Sequence, residues 1–101
     1  MTATARKIAA AFKQGQSRVI KNTRSDGTTV YHHGNRIAWR KGNDLCMTLA
    51  GWGTVTTRDR LNAIAQEFTG ERPYHQANWD QYYNGEEISS HDIQVIEGAF
   101  S

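Results

Sequence analysis

The residues best suited to chemistry or recognition are concentrated in one stretch, AGWGTVTTRDRLNAI, from Ala50 to Ile64. Trp52 stands there between two glycines, and hydroxyl and guanidinium side chains follow it closely. Flanking glycines would let the indole ring stand clear of the backbone and stack on a partner side chain or a nucleobase. The alternative is that Trp52 folds back as a plug on the edge of the core. The candidate partner-binding residues are Trp52, Thr54, Thr56, Arg58 and Arg60.

The two arginines of this stretch fall in the first turn of a predicted helix. Positive charge there opposes the helix macrodipole by roughly 0.3–1 kcal/mol per residue, so stability alone would favour acidic residues. Arg58 and Arg60 could therefore form a patch that faces a phosphate or a carboxylate. In the alternative, Arg60 packs its stem on the sheet and pairs with Asp59 or Glu67, while Arg58 is solvated.

Arginines also interleave with an aromatic residue along a predicted strand, as in sheets that bind single-stranded nucleic acid. Arg36 and Arg40 flank Trp39. Strict alternation, however, places Trp39 with Ile37 on the apolar face, away from these arginines, which could still line the open face. The candidate nucleic-acid-binding residues are Arg18, Arg24, Arg36, Arg40, Arg58 and Arg60.

No residue pattern predicts catalysis or metal binding. His32 and His33 are adjacent on a predicted strand, so their side chains point to opposite faces and cannot chelate one metal together. The single cysteine, Cys46, excludes an internal disulfide and has no zinc-ligand or nucleophile motif around it. The chain has neither a P-loop nor a dinucleotide-binding fingerprint. We therefore expect no metal, no cofactor and no enzymatic activity.

Charge is distributed unevenly along the 101 residues. All 12 lysines and arginines lie within residues 1–72 together with half of the 10 acidic residues, so this part carries a formal charge of +7. Residues 73–101 contain the other acids and carry −5. The acidic segment either packs on the basic part and neutralises it, or forms a second binding face. No apolar run approaches the length of a membrane span, so we expect no membrane association.

Two helices and a meander must position these residues. Apolar residues at i, i+3, i+4 and i+7 predict a helix over residues 3–14 that Gly15 ends. The same periodicity predicts a second helix that Thr56 or Thr57 caps and Gly70 ends. Alternating apolar residues predict strands over residues 17–23, 28–33, 36–41 and 45–50, and a last strand within 92–98. Residues 76–83 fit the periodicity of a strand and of a helix equally well.

The expected architecture is a single α+β domain over residues 1–101. It consists of a four-stranded antiparallel meander with one helix packed on a sheet face, a short N-terminal helix and an aromatic C-terminal segment. A barrel-like all-β domain with appended helices is the structural alternative. An exposed edge strand could pair with a second copy of the chain to give a homodimer.

The motif GNRIA, followed after a spacer by GWGTVTTRDRLNA, resembles a pattern found in short proteins of tailed bacteriophages and mobile elements. The matching positions are Gly34, Asn35, Ile37, Ala38, Gly51, Trp52, Thr54, Thr56, Thr57, Arg60, Leu61, Asn62 and Ala63. The resemblance covers roughly residues 17–68 and brings no catalytic motif with it. It implies a phage accessory protein that works in the host cytoplasm as a non-catalytic binder of host machinery.

Two hypotheses for function follow. The leading one is a phage-encoded, non-catalytic protein that binds a host protein or nucleoprotein complex and inhibits a host enzyme or defence system. The alternative is a small basic module that binds nucleic acid. A protein partner calls for a mixed patch around Trp52, whereas nucleic acid calls for one continuous basic face.

Overall fold

A computed structural model describes residues 1–101, with two helices and nine strands. In chain order the elements are α1 (Ala3–Lys13), β1 (Ser17–Ile20), β2 (Thr23–Asp26), β3 (Thr29–His32), β4 (Asn35–Lys41), β5 (Asp44–Thr48), α2 (Val55–Thr69), β6 (Tyr74–Ala77), β7 (Asp80–Tyr83), β8 (Glu86–Ile88) and β9 (Ile93–Ile96). A six-stranded antiparallel sheet has the order β1-β2-β3-β4-β5-β9, and β6-β7-β8 form a separate three-stranded sheet. The α+β class is confirmed. The large sheet is open at β1 and β9, so the barrel-like alternative is wrong.

Helix α1 lies where its periodicity predicts it. The Thr2 hydroxyl caps the first turn by accepting a hydrogen bond from the Ala5 N–H at 3.1 Å. Gly15 follows the C-terminal end with φ 70°, a left-handed conformation that glycine adopts without steric cost. The buried face of α1, which includes Ile8 and Phe12, packs against α2 and against β1 to β3.

The first predicted strand, residues 17–23, contains β1, a turn and the first residue of β2. The backbone reverses after Ile20, with Lys21 in a left-handed conformation at φ 54°, and residues 23–26 return as β2. The predicted antiparallel meander is present, with five strands rather than four. The predicted last strand is confirmed as β9, which pairs with β5 and makes the sixth strand. Homodimer formation through the open edges stays a prediction.

A β-bulge in β4 changes which side chains face the core. Val30 pairs with Ala38 and Tyr31 pairs with Arg36, so Ile37 is an extra residue in the ladder. Ile37 and Ala38 are consequently both buried, and Trp39 turns to the opposite face, where it is half-buried. The prediction that Trp39 shares the apolar face with Ile37 is wrong, because strict alternation does not hold across a bulge.

One apolar core lies between the helices and the inner face of the six-stranded sheet. The inner face presents Val30, Ala38 and Met47, and α2 contributes Leu61 and Ile64. Aromatic rings close one end of this core: Phe100 packs edge-on against Phe12 and Phe68 at centroid distances of 5.8 and 4.8 Å. Neither helix has the length and the apolar composition that crossing a membrane would require.

The acidic C-terminal segment docks on the rest of the chain through backbone pairing and aromatic packing. Residues 76–83, which the sequence left open, belong to strands β6 and β7. The Tyr74 N–H donates a hydrogen bond to Asn62 Oδ1 at 2.8 Å, Asn62 Nδ2 donates to Tyr74 O at 2.9 Å, and burial raises the pKa of Tyr74. The chain contains one ion pair, between Arg60 and Asp59, so no salt bridge joins the acidic segment to the basic part.

Candidate binding site

A cleft of about 480 Å³ opens beside Trp52. It lies between the turn that joins β3 to β4 and the N-terminal end of α2. Its lining residues are His32, His33, Asn35, Ile37, Trp52, Thr54, Thr56 and Thr57. Apolar walls with a few placed polar groups are typical of sites that bind one side chain or a short segment. We call this the Trp52 cleft.

Trp52 stands at the mouth of this cleft with 56% of its surface exposed. The core-plug alternative is therefore wrong. Ala50 and Gly51 have left-handed backbone conformations, with φ 54° and 84°, which turn the chain sharply before the tryptophan. The Gly51 N–H donates to Ser90 O at 2.8 Å, and the Trp52 N–H donates to Leu49 O at 2.9 Å. The backbone that carries the indole is thus fixed on both sides.

The threonines of the motif form the wall at the start of α2. Thr54 is the N-cap, because its hydroxyl accepts a hydrogen bond from the Thr57 N–H at 3.2 Å. The predicted cap at Thr56 or Thr57 is wrong by one turn or less, since α2 begins at Val55. Thr56 lies exposed in the first turn and leaves its hydroxyl available to a ligand.

Arg60 lies behind the cleft in a buried network and is only 8% exposed. Its guanidinium donates to Asp59 Oδ2 at 2.9 Å, to Thr2 Oγ1 at 3.0 Å and to Thr23 Oγ1 at 3.1 Å. The alternative in which Arg60 pairs with Asp59 is confirmed. These contacts tie the N-terminal end of α1 and strand β2 to the start of α2.

The Arg60 network also sets the protonation of His32. Thr23 Oγ1 lies 2.9 Å from His32 Nδ1. Since an arginine always donates, Thr23 accepts from Arg60 and its own proton is available to Nδ1; a neutral ring that accepts there carries its ring proton on Nε2. Desolvation, with the nearby His33 and Arg60, lowers the pKa of His32 below its usual 6.5, so the ring is neutral at neutral pH.

The Nε2 atom of His32 is a polar ring nitrogen that the chain itself does not use. His32 is 6% exposed and lines the Trp52 cleft. Nε2 has no hydrogen-bond partner in the chain. Because every fully buried side-chain nitrogen and oxygen has such a partner, Nε2 is not fully buried and is reachable from the cleft. The sequence did not single out this role, because nothing in a His-His pair reveals which ring a buried threonine will orient.

Arg58 organises the backbone next to Trp52. Its Nη1 donates to Gly53 O at 2.9 Å, to Gln76 Oε1 at 2.8 Å and to Gln81 Oε1 at 3.1 Å. Desolvation lowers the pKa of Arg58. The alternative of a solvated Arg58 is wrong. Arg58 ties Gly53 to the β6–β7 hairpin rather than lining the cleft.

The structure therefore brings three of the five candidate partner-binding residues together at the cleft. Trp52, Thr54 and Thr56 line it, whereas Arg58 and Arg60 support it from behind. The position of the two arginines at the positive end of the helix dipole could have distinguished them from the cleft-lining residues. A cation held against the positive end of a helix needs compensating acceptors, and both arginines have them.

A second exposed tryptophan, Trp79, lies on the other side of Gly53. It forms the tip of the β6–β7 hairpin with Asn78, at φ 71° and 50°, and 89% of its surface is exposed. A cleft of about 410 Å³ beside it is lined by Gly53, Gln76, Trp79, Asp80, Gln81, Ile88 and Ser90. Sequence reasoning noted this residue but not its role, because its element type was open. A bulky residue with positive φ is strained, and such strain is concentrated at functional sites.

The arginines of the nucleic-acid hypothesis fall into different environments. Arg24 and Arg36 lie on the outer face of the six-stranded sheet, over the rings of Tyr31 and Trp39. Arg18 lies on the edge strand β1 opposite Ser25, so it is on the other face of the sheet from Arg24. Arg40 donates to Gly42 O at 2.7 Å and stacks on Phe100. With Arg58 and Arg60 in internal networks, the six arginines do not form one continuous face.

The remaining reactive groups are dispersed or enclosed. No group of three or more histidine, cysteine, aspartate or glutamate side chains is placed to hold a metal ion. Cys46 is buried.

A family model described as Kyanoviridae Gp96 protein matches residues 1–100. No curated protein and no solved structure matches the chain significantly.

Proposed function

Since the chain belongs to the Kyanoviridae Gp96 protein family, a family of phage proteins, we propose that it binds a host component through the Trp52 cleft. The component is a host protein or nucleoprotein complex in the host cytoplasm. The role is non-catalytic: binding itself inhibits a host enzyme or defence complex.

The observation that carries this proposal is the exposure of two tryptophans on either side of Gly53. Trp52 and Trp79 are 56% and 89% exposed, and each lines a cleft. Tryptophan is enriched among the few interface residues that contribute most of the binding energy, and truncating such a residue costs about 2 kcal/mol or more. A surface with two exposed indoles around one rigid segment is therefore suited to a protein partner.

The rigidity of this segment supports the same conclusion. The turn at Ala50 and Gly51 and the Arg58 contacts to Gly53 fix the backbone before any partner arrives. A preformed surface loses little conformational entropy on binding, so more of its contact energy appears as affinity.

The lining of the Trp52 cleft supports a binding role. It offers hydroxyl groups, an amide at Asn35, two histidines and the apolar side chains of Ile37 and Trp52, but no carboxylate, lysine or cysteine. The Nε2–H of His32 can donate to an acceptor on a side chain inserted into the cleft. Hydrogen-bonding groups beside apolar walls are suited to recognising a side chain or a short segment of a partner.

A pull-down from host lysate tests the proposal. The tagged protein, its Trp52→Ala variant and its Val55→Ala variant are compared by quantitative mass spectrometry. Val55 is the matched control, because it is an exposed apolar residue three positions along the chain that does not line the cleft. We expect a host protein that the wild type and Val55→Ala both enrich and that Trp52→Ala loses.

The enriched protein is then purified and titrated with each variant by calorimetry, and its activity is measured with and without the phage protein. A loss of about 2 kcal/mol for Trp52→Ala corresponds to roughly 30-fold weaker binding. Equal recovery of every host protein by the wild type and by Trp52→Ala would refute the assignment of the cleft.

A further inference from the structure

We propose that the outer face of the six-stranded sheet binds single-stranded nucleic acid through a ladder of arginines and aromatic rings. The ladder consists of Arg24, Tyr31, Arg36 and Trp39. None of these four residues lines the Trp52 cleft, so this inference stands or fails independently of the proposed function.

Strand register aligns Arg24, Tyr31 and Arg36 in one row across three strands, and Trp39 lies three positions beyond Arg36 on β4. Arg24 on β2 pairs with Tyr31 on β3, and Tyr31 pairs in turn with Arg36 on β4. The bulge at Ile37 then turns Trp39 to the same face as Arg36. Because adjacent strands lie about 4.8 Å apart, the row presents alternating cations and rings at the spacing of neighbouring strands.

The two guanidinium groups are held flat on the rings but keep their donors free. The Cζ atom of Arg24 lies 4.0 Å from the Tyr31 ring centroid, and that of Arg36 lies 3.7 Å from the Trp39 ring centroid. The hydrogen bonds of the chain include donations from Arg40, Arg58 and Arg60, but none from Arg24 or Arg36. A planar guanidinium with its orientation set and its N–H edges unused is suited to bidentate phosphate contacts.

The surroundings of the ladder carry positive charge. A groove of about 240 Å³ at its β1–β2 end is lined by Val19, Lys21, Asn22, Thr23, Arg24, Tyr31, His33 and Gly34, with no carboxylate among them. Asp26, the acid on β2, accepts hydrogen bonds from the Thr28 and Thr29 N–H groups and closes the next turn. Its pKa is lowered mainly by the Thr28 N–H.

Guanidinium planes supported on half-buried rings favour single strands over duplex, because unpaired bases stack on arginine planes as they do on aromatic rings. Stacking requires unpaired bases, whose faces a double helix hides, and a sheet of this composition matches the platforms that bind single strands by stacking plus backbone charge. A ligand that offered phosphate alone would use the arginines but gain nothing from Trp39.

The test is a fluorescence-anisotropy titration of the protein with a labelled oligothymidylate, repeated over a range of salt concentrations. Two to three phosphate contacts, from Arg24, Arg36 and Lys21, predict a log–log salt slope of about −2. We expect Arg36→Ala to make the slope about 0.7 shallower and Trp39→Leu to weaken binding by about 5- to 100-fold. Arg18→Ala is the control, because it removes an exposed arginine that is outside the ladder and makes no hydrogen bond; its effect should be under about twofold.

Trp39→Phe should restore most of the affinity, and circular dichroism verifies the fold of each variant. Should Trp39→Leu not fold, fluorescence of a W52F/W79F double variant gives a second readout, since Trp39 is then the only tryptophan and must be quenched by the oligonucleotide. Absence of binding at low salt overturns the proposal. Equal affinity for duplex, equal losses for Arg18→Ala and Arg36→Ala, or no quenching of Trp39 does so as well.

Discussion

Replacing Trp79 by glycine is expected to stabilise the protein although it removes a large aromatic side chain. Trp79 and Asn78 form a tight hairpin turn with both residues at positive φ. In the next hairpin the equivalent pair is Asn84 and Gly85, with φ 51° and 82°, which is the usual composition of such a turn. The tryptophan therefore occupies a position that strongly favours glycine.

The magnitude follows from three contributions. A left-handed conformation costs a residue with a side chain about 1–2 kcal/mol, and glycine avoids this cost. The greater freedom of glycine in the unfolded chain removes about 0.5–1 kcal/mol of that gain. Since Trp79 is 89% exposed, its loss removes little buried area. The net expectation is a gain of about 0.5–1 kcal/mol, or a rise in Tm of about 2–8 °C for a domain of this size.

Urea unfolding followed by far-ultraviolet circular dichroism measures this free energy. Trp79→Ala is the matched control, because alanine keeps the strain and loses the ring, so its unfolding free energy should stay near the wild-type value. Gly85→Ala should lower it by about 1 kcal/mol, since it introduces the same strain in the neighbouring turn. A Trp79→Gly variant less stable than Trp79→Ala would refute the reasoning, because both variants lack the indole and differ only in the Cβ at the position with positive φ.

Three further predictions concern the network and the cleft. Arg60→Ala should lower the free energy of unfolding by about 2–4 kcal/mol, because it removes three hydrogen bonds and leaves Thr23 without its donor; a change under 1 kcal/mol in urea unfolding would contradict this. The lowered pKa of His32 means that the unfolded chain binds more protons below pH 6.5, so stability should fall as pH drops below that value, and His32→Gln should remove part of this dependence in unfolding curves taken at pH 7.5 and 5.5. In Gly53→Ala the new Cβ would lie 2.7 Å from Gln81 Nε2, so we expect partner capture to weaken while unfolding changes by only about 1 kcal/mol; unchanged capture would show that the Gly53 backbone does not shape the cleft.

Helices were predictable because their determinants are local. The i, i+3, i+4, i+7 pattern of α1 and the glycine after it specify both the buried face and the end of the helix. The same holds for the end of α2 at Gly70. The start of α2 was misplaced because three threonines compete for the cap, and only the direction of the chain leaving the β5 turn decides that Thr54 faces the free N–H groups.

Strand boundaries depended on features that no short pattern shows. Lys21 in a left-handed conformation splits one apparent strand into two, although lysine gives no turn signal. The bulge at Ile37 likewise has no glycine to mark it. The bulge turns Trp39 to the face that carries Arg36. The expected separation of Trp39 from the arginines, which was the strongest argument against a nucleic-acid face, therefore does not hold for Arg36.

The candidate site was predictable in outline. Glycines around Trp52 indicated an indole that stands clear of the backbone, and the exposure of this residue agrees. The roles of Arg58 and Arg60 were not predictable, because their acceptors lie on Gln76, Gln81 and Thr23, far away in the chain. Long-range pairing of a charged side chain is a property of the assembled fold.

The extra residue in β4 also makes this strand tolerant of one particular deletion. Removing Ile37 would restore strict alternation and leave Arg36 and Trp39 on the outer face with Ala38 on the inner face. A residue inserted between Ala38 and Trp39 would instead exchange the two faces for residues 39–41 and turn the indole of Trp39 toward the core, beside the fully buried Ala38. β4 should therefore accept the loss of its bulge far more readily than an insertion after Ala38.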